Sequence, residues 1–131
     1  MIERIFPAGA PQPRGPYSPA VRVGDFLYIS GMPPVNPATR QPAPGGVAAE
    51  TRQSLNNIKS ALEGAGASLE DVVKVNAYLS DAADFAAMNE AYAEFFGNAK
   101  PARTTVVVEF ALAGICVEFD AVAYHPRQFR Q

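Results

Sequence analysis

The sequence predicts an α+β protein, a two-layer sandwich in which one mixed β-sheet carries two helices on a single face. Two observations lead there. Five runs with strand-like content and two stretches of helical apolar spacing alternate in the order β-β-α-β-α-β-β. The two β-α-β connections are right-handed as a rule, so both helices must lie on the same side of the sheet. A length of 131 residues admits one such domain, because compact domains cluster near roughly 100–150 residues and a second core could not be filled.

Residues 7–19 hold Pro7, Pro11, Pro13, Pro16 and Pro19 with Gly9 and Gly15, which removes backbone donors and predicts a rigid loop. Val21-Arg22-Val23 and Phe26-Leu27-Tyr28-Ile29-Ser30 flank Gly24-Asp25 and read as a hairpin, with Gly24 free to take positive φ. Five prolines and Gly45-Gly46 within residues 32–46 predict a second ordered loop. From Val47 to Ala65 the apolar residues Leu55, Ile58, Ala61, Leu62 and Ala65 recur at helical spacing, ending at Gly64 or Gly66. Ser68 can cap a short turn before Val72–Leu79, whose β-branched content predicts a central strand. Ser80 or Asp81 caps a second helix whose stripe is Phe85, Met88, Ala91, Tyr92, Phe95 and Phe96, stopped by Gly97.

Thr104–Phe110 and Cys116–Tyr124 are the last two strands. Alternation puts Thr104, Val106, Val108 and Phe110 on one face and Arg103, Thr105, Val107 and Glu109 on the other. On the final strand Val117, Phe119 and Ala121 oppose Cys116, Glu118, Asp120 and Val122. The sheet face without helices then carries a mixture of apolar and charged residues. Self-association with closed cyclic symmetry would cover it and create clefts between subunits.

Composition excludes several functions. The formal net charge of −2 comes with scattered Lys and Arg, so no basic stripe suited to a phosphate backbone is present and nucleic acid is not an expected ligand. Cys116 is the single cysteine and His125 the single histidine, too few for a disulfide framework or a structural zinc site. No apolar run approaches the ~18 residues of a membrane span. A cytoplasmic protein is expected.

Two residues stand out chemically. Arg103 follows Pro101-Ala102 at a strand entry, and a fixed guanidinium there suits bidentate capture of an amino-acid-derived carboxylate; a surface ion pair with Glu109 or Asp120 is the plain alternative. Glu118 lies in a strand otherwise made of Cys, Val, Phe and Ala, where an acid must be paired, hydrogen-bonded or raised in pKa. It is thus a candidate general acid/base, or one half of a structural ion pair. If the last two strands formed a tight hairpin around Ala111–Ile115, Arg103 would face Ala123, roughly 15 Å from Glu118. Either these strands are not direct neighbours or a shared site spans subunits.

Gly15-Pro16-Tyr17-Ser18-Pro19-Ala20, Tyr28-Ile29-Ser30-Gly31, Asn56-Asn57-Ile58, Asn89–Phe96, Pro101-Ala102-Arg103 and Val117-Glu118 together resemble the RidA/YjgF (L-PSP) family in order and spacing. The resemblance spans nearly the whole chain. It implies a chorismate-mutase-like fold, a homotrimeric barrel with sites at the subunit interfaces, and hydrolysis of a reactive enamine or imine such as 2-aminoacrylate or 2-iminobutanoate to a 2-keto acid and ammonia, without a cofactor. By similarity Arg103 binds the substrate carboxylate and Glu118 orients water or moves a proton. Tyr17, Ser30 and the backbones of Gly31 and Thr105 line the cleft.

The chain departs from the family pattern at Thr105, where active members usually carry cysteine, at Lys100 before Pro-Ala-Arg, and at Ala111-Leu112 in the final turn. These departures bear on cleft shape and substrate choice. Cys116 reads most simply as a small buried hydrophobe. Three competing functions remain: a pathway-specific deaminase of the 2-aminomuconate type, a non-catalytic metabolite-binding trimer, and a ribonuclease, the last opposed by a pI of about 5.3. Turnover of short imino acids, ligand binding without turnover, and RNA cleavage lost in Arg103→Ala separate them.

Overall fold

A computed structural model describes residues 1–127. The elements, in chain order, are β1 (Ile2–Ile5), β2 (Ala20–Val23), β3 (Phe26–Met32), α1 (Val47–Gly64), β4 (Val72–Leu79), α2 (Phe85–Phe96), β5 (Ala102–Val107) and β6 (Val117–Tyr124). Short 3₁₀ turns at Leu69–Asp71 and Ala82–Asp84 precede β4 and α2. Ser68 and Asp71 close the first with a reciprocal capping box, and the Asp81 carboxylate accepts the Ala83 N–H of the second. The α+β sandwich with two helices over one mixed sheet is the predicted fold class.

The sheet runs β1-β2-β3-β6-β4-β5. Two of its features correct the sequence expectation, and a third decides between alternatives that the sequence leaves open. Ile2–Ile5 adds a strand, antiparallel to β2 with Ile2 opposite Val23; four residues with half-exposed sides carry too little period-two signal to be seen alone. β5 covers Ala102–Val107 instead of Thr104–Phe110. Most importantly, β4 stands between the last two strands, pairing parallel with β5 and antiparallel with β6. The Ala111–Ile115 turn therefore closes no hairpin.

Alternation decides which side chains the helices cover. Val75, Ala77 and Leu79 of β4 and Val117, Phe119, Ala121 and Ala123 of β6 are buried against Leu55, Ile58 and Leu62 of α1 and Met88 and Phe96 of α2. Helix α1 ends in paired reverse bonds, Ala67 N–H to Leu62 O and Gly66 N–H to Glu63 O, the usual way to satisfy terminal carbonyls. At the end of α2, Gly97 caps the helix but Lys100 takes the left-handed φ of 42° and donates its N–H to Phe96 O at 3.1 Å. Phe85, placed on the buried stripe from sequence, is instead 46% exposed.

The opposite face has no helix. Phe26 packs on Tyr124 with ring centroids 5.3 Å apart. Lys74 Nζ donates to Thr104 Oγ1 at 2.8 Å, and Asn76 and Tyr78 donate to the two oxygens of Asp120 at 2.9 and 2.7 Å. Tyr28 and Val106 also remain largely exposed there.

Candidate active site

Glu118 belongs to this open face. Its neighbour across β4 is Tyr78, and across β3 the chain is interrupted by a register shift between Ile29 and Met32. That irregularity, together with the missing side chain of Gly31, lets the carboxyl lie on the β3 backbone: a Cβ at Gly31 would sit 2.7 Å from Glu118 Oε2. Only glycine fits without displacing the acid. Glu118 is half-buried and, among the described residues, has neither an ion-pair nor a hydrogen-bond partner. Burial raises its pKa, and the charge of Asp120 two residues on adds to the rise. The expectation that this acid must be paired, bonded or perturbed resolves as perturbation.

A cleft of about 400 Å³ is lined by Tyr17, Ser30, Gly31 and Glu118 together with Arg14, Pro33 and Phe110, Ala111 and Leu112 of the final turn. Four of the residues singled out from sequence thus meet in one place. The loop carrying Tyr17 is tied to β3, since Ser30 Oγ donates to Ser18 O at 2.6 Å and Ser30 N–H to Pro19 O at 2.9 Å. Tyr17 Oη accepts the Arg14 N–H at 3.2 Å, and its ring packs beside Gly15. Its own proton stays free for a ligand.

Arg103 and Thr105 are elsewhere. They share the helix-covered face of β5, at the sheet edge, opposite Val75 and Ala77 of β4. Helix α2 builds a cradle for the guanidinium: Nη2 donates to Asn89 Oδ1 at 2.7 Å, Nη1 approaches Met88 Sδ at 4.0 Å, and the guanidinium carbon lies 4.7 Å from the Tyr92 ring centroid and 5.8 Å from that of Phe85. The exposed Phe85 ring thus forms one side of this cradle. The plain alternative of an ion pair with Glu109 or Asp120 is not found; among the described residues Arg103 has no carboxylate partner, and Asp120 is engaged on the other face. The Tyr92 hydroxyl is buried without a hydrogen-bond partner among the described residues. Burial raises its pKa against the opposing charge of Arg103.

One chain does not bring Arg103 and Glu118 together. Tyr78 aligns with Glu118 on one side and Val106 on the other, so Arg103 is about 10 Å along the strands and about 10 Å across them from Glu118, on the opposite face. Lys100 is exposed in the loop after α2 and does not line the cleft, whereas Ala111 and Leu112 do. Cys116 donates its backbone N–H to the buried Glu50 carboxylate at 2.8 Å, and burial with that acid pushes its thiol up to about 12. No cluster of metal-ligating side chains occurs among the described residues. The sequence reading missed Arg14, Asn89 and Tyr92 as contributors. The available signals for Asn89 and Tyr92 are the family-like stretch Asn89–Phe96 and an i, i+3 pair in which polar Asn89 stands one turn before Tyr92 of the apolar stripe.

Comparison with known proteins agrees with this architecture. A family model described as Endoribonuclease L-PSP matches residues 8–125. A RutC family protein of Pyrococcus horikoshii is 50% identical over 124 residues, covering 95% of this chain and 98% of its own. A 2-iminobutanoate/2-iminopropanoate deaminase of Capra hircus is 41% identical over 124 residues, covering 94% of this chain and 90% of its own. Among solved structures, E. coli TdcF with bound serine superposes with a TM-score of 0.87 at 33% identity, covering 94% of this chain and 98% of that one.

Proposed function

The chain belongs to the RidA/YjgF family, the endoribonuclease L-PSP family of the matching model, and from that footing we propose that it hydrolyses reactive 2-imino and 2-enamino acids to 2-keto acids and ammonia. Kinship with imine deaminases at about two-fifths identity supports the reaction class. The observation that carries the reading is Glu118: a half-buried carboxyl with a raised pKa, pressed against Gly31 at the floor of an open cleft and committed to no partner.

The chemistry asks little of the protein. An enamine such as 2-aminoacrylate takes a proton from solvent at its terminal carbon and becomes the iminium ion, whose C2 is electrophilic. Water adds to C2 as ionised Glu118 takes its proton, giving a carbinolamine. The protonated carboxyl then returns that proton to nitrogen, and the C–N bond breaks as the hydroxyl proton passes back to Glu118 and on to solvent, releasing ammonia and the keto acid. Positioning and a proton path supply the catalysis, and no cofactor enters.

The carboxylate of the substrate needs a fixed cation, and we assign this role to Arg103. Because Arg103 and Glu118 face away from each other within one chain, the site is read as shared: three copies around a threefold axis would bring the β5 edge of one subunit, with Arg103 and the Thr105 backbone, to the Tyr17–Ser30–Gly31–Glu118 cleft of the next. The exposed aromatic and aliphatic residues of the helix-free face supply the apolar surface such an assembly needs. TdcF, a structural neighbour, holds serine, itself an amino acid.

Coupling a serine dehydratase to the protein and following keto acid and ammonia release tests the reading. Acceleration over buffer is expected, with Glu118→Gln and Arg103→Ala each losing about 10²–10⁴-fold in kcat/KM. Ligand binding with no acceleration would refute the deaminase.

A further inference from the structure

Arg14 is a cation without an assigned task. It lines the same cleft, and among the described residues it forms no ion pair although Glu118 lines that cleft too. Its position is nonetheless fixed. Its N–H is held by Tyr17 Oη at 3.2 Å, and its Nη2 donates to the carbonyl of Arg40 at 3.3 Å. Arg40 adopts a left-handed φ of 62°, bonds its N–H to Asn36 O at 2.7 Å, and ends a loop that Asn36 Oδ1 braces by accepting from Ala38 and Thr39. A side chain other than glycine in that conformation is uncommon, and here it aims a carbonyl at one edge of the Arg14 guanidinium. Four of the five N–H donors remain.

A mono-acid imine leaves this cation idle. On the deaminase reading its one carboxylate would be taken by Arg103 of the neighbouring subunit and its C=N carbon would lie over Glu118, leaving only a short alkyl end in a cleft that Phe110, Leu112 and Pro33 also line. Nor is Arg14 spent on its neighbour: the Glu118 carboxyl is governed by burial and Asp120 alone, with no cation drawing it down. A substrate carrying a second carboxylate would span from Arg103 to Arg14 and fill both ends. We propose that Arg14 is a specificity-determining residue that selects imino or enamino acids bearing a second, distal carboxylate. The proposal rests on the deaminase reading for the placement of the first carboxylate, and it names the substrate class for that site.

The test compares two imines formed in place by amino-acid oxidases, one from aspartate and one from alanine. Ammonia release is measured over spontaneous hydrolysis, alongside calorimetric binding of the corresponding keto acids, oxaloacetate and pyruvate. For the wild type the diacid is expected to exceed the mono-acid about tenfold in kcat/KM and in affinity, a charge-assisted contact's worth. Arg14→Gln should erase most of that ratio and Arg14→Lys should restore part of it. A general loss of structure would lower both substrates and leave the ratio intact.

If both imines are accelerated with one ratio in the wild type and in Arg14→Gln, the second-carboxylate site is wrong while the deaminase stands. If neither imine is accelerated yet oxaloacetate still binds tighter through Arg14, the deaminase reading falls and the site survives. Neither acceleration nor binding preference would overturn both.

Discussion

On the proposed reading, the two faces of the sheet hold complementary halves of one chemistry. On the open face Glu118 has no partner among the described residues, is raised in pKa and is placed by the absence of a side chain at Gly31. On the covered face Arg103 is gripped on several sides by Asn89, Tyr92 and Phe85 of α2. The acid is left free to exchange a proton; the cation is held still. The difference teaches that reactivity here comes from withholding partners and binding from supplying them. On that reading neither half would act on a small substrate inside a single chain, because the two residues lie on opposite faces.

Breaking the open half at its support should have the largest effect. Gly31→Ala would push a methyl into the Glu118 carboxyl, where only 2.7 Å is available, and a displacement near 1 Å is expected to lower kcat about 10²-fold. Steady-state kinetics and a thermal melt check it: kcat should fall with the fold retained, because the strain is relieved by moving a side chain at the surface of a cleft. An unchanged kcat would detach Glu118 from the reaction.

Loosening the other half should cost less and show up in binding. Tyr92→Leu removes the ring beneath the guanidinium, a cation–π contact worth about 1 kcal/mol at a half-buried site. KM is expected to rise several-fold with kcat little changed, and Asn89→Ala should act in the same direction. Equal losses in kcat would mean that the cradle does more than hold the carboxylate's partner.

The smallest effect is a displacement along the pH axis. Glu118 must be ionised to accept the proton of water, and its pKa is raised, so the acid limb of kcat/KM should lie above the ordinary glutamate range. Removing the Asp120 charge with Asp120→Asn takes away one cause of the rise; the limb should then move to lower pH. A limb that stays in place would assign it to another group.

Much of the fold is legible in local patterns of the chain. The 3.6-residue spacing of Leu55, Ile58 and Leu62, the β-branched run at Val72–Val75 and the proline-rich loops all act over short range, so periodicity and propensity suffice for them. The order of strands does not act locally. That β4 separates β5 from β6 is fixed by a crossover whose destination no window of sequence contains. The alternation that assigns Arg103 and Glu118 to particular faces is legible; which face of β5 matches which face of β6 is not, since it depends on that order. Tyr17, Ser30, Gly31 and Glu118 meet because a loop is bonded to β3 and β3 carries an irregularity at Gly31. Arg14 gives no signal of its own, because an arginine among prolines looks like a solvated surface residue until Tyr17 and the Arg40 carbonyl are seen holding it. Phe85 has the spacing of the buried stripe, yet as the first residue of α2 it is exposed beside the Arg103 guanidinium.

The shared site is the central claim, and subunit complementation tests it most directly. Arg103→Ala and Glu118→Gln, each inactive alone, are unfolded together in equal amounts and refolded. If Arg103 of one subunit serves Glu118 of the next, random mixing leaves about one interface in four with both native residues, and about a quarter of wild-type activity should return. No recovery, with mixed assemblies verified by native mass spectrometry, would place both residues' function within one chain and contradict the account.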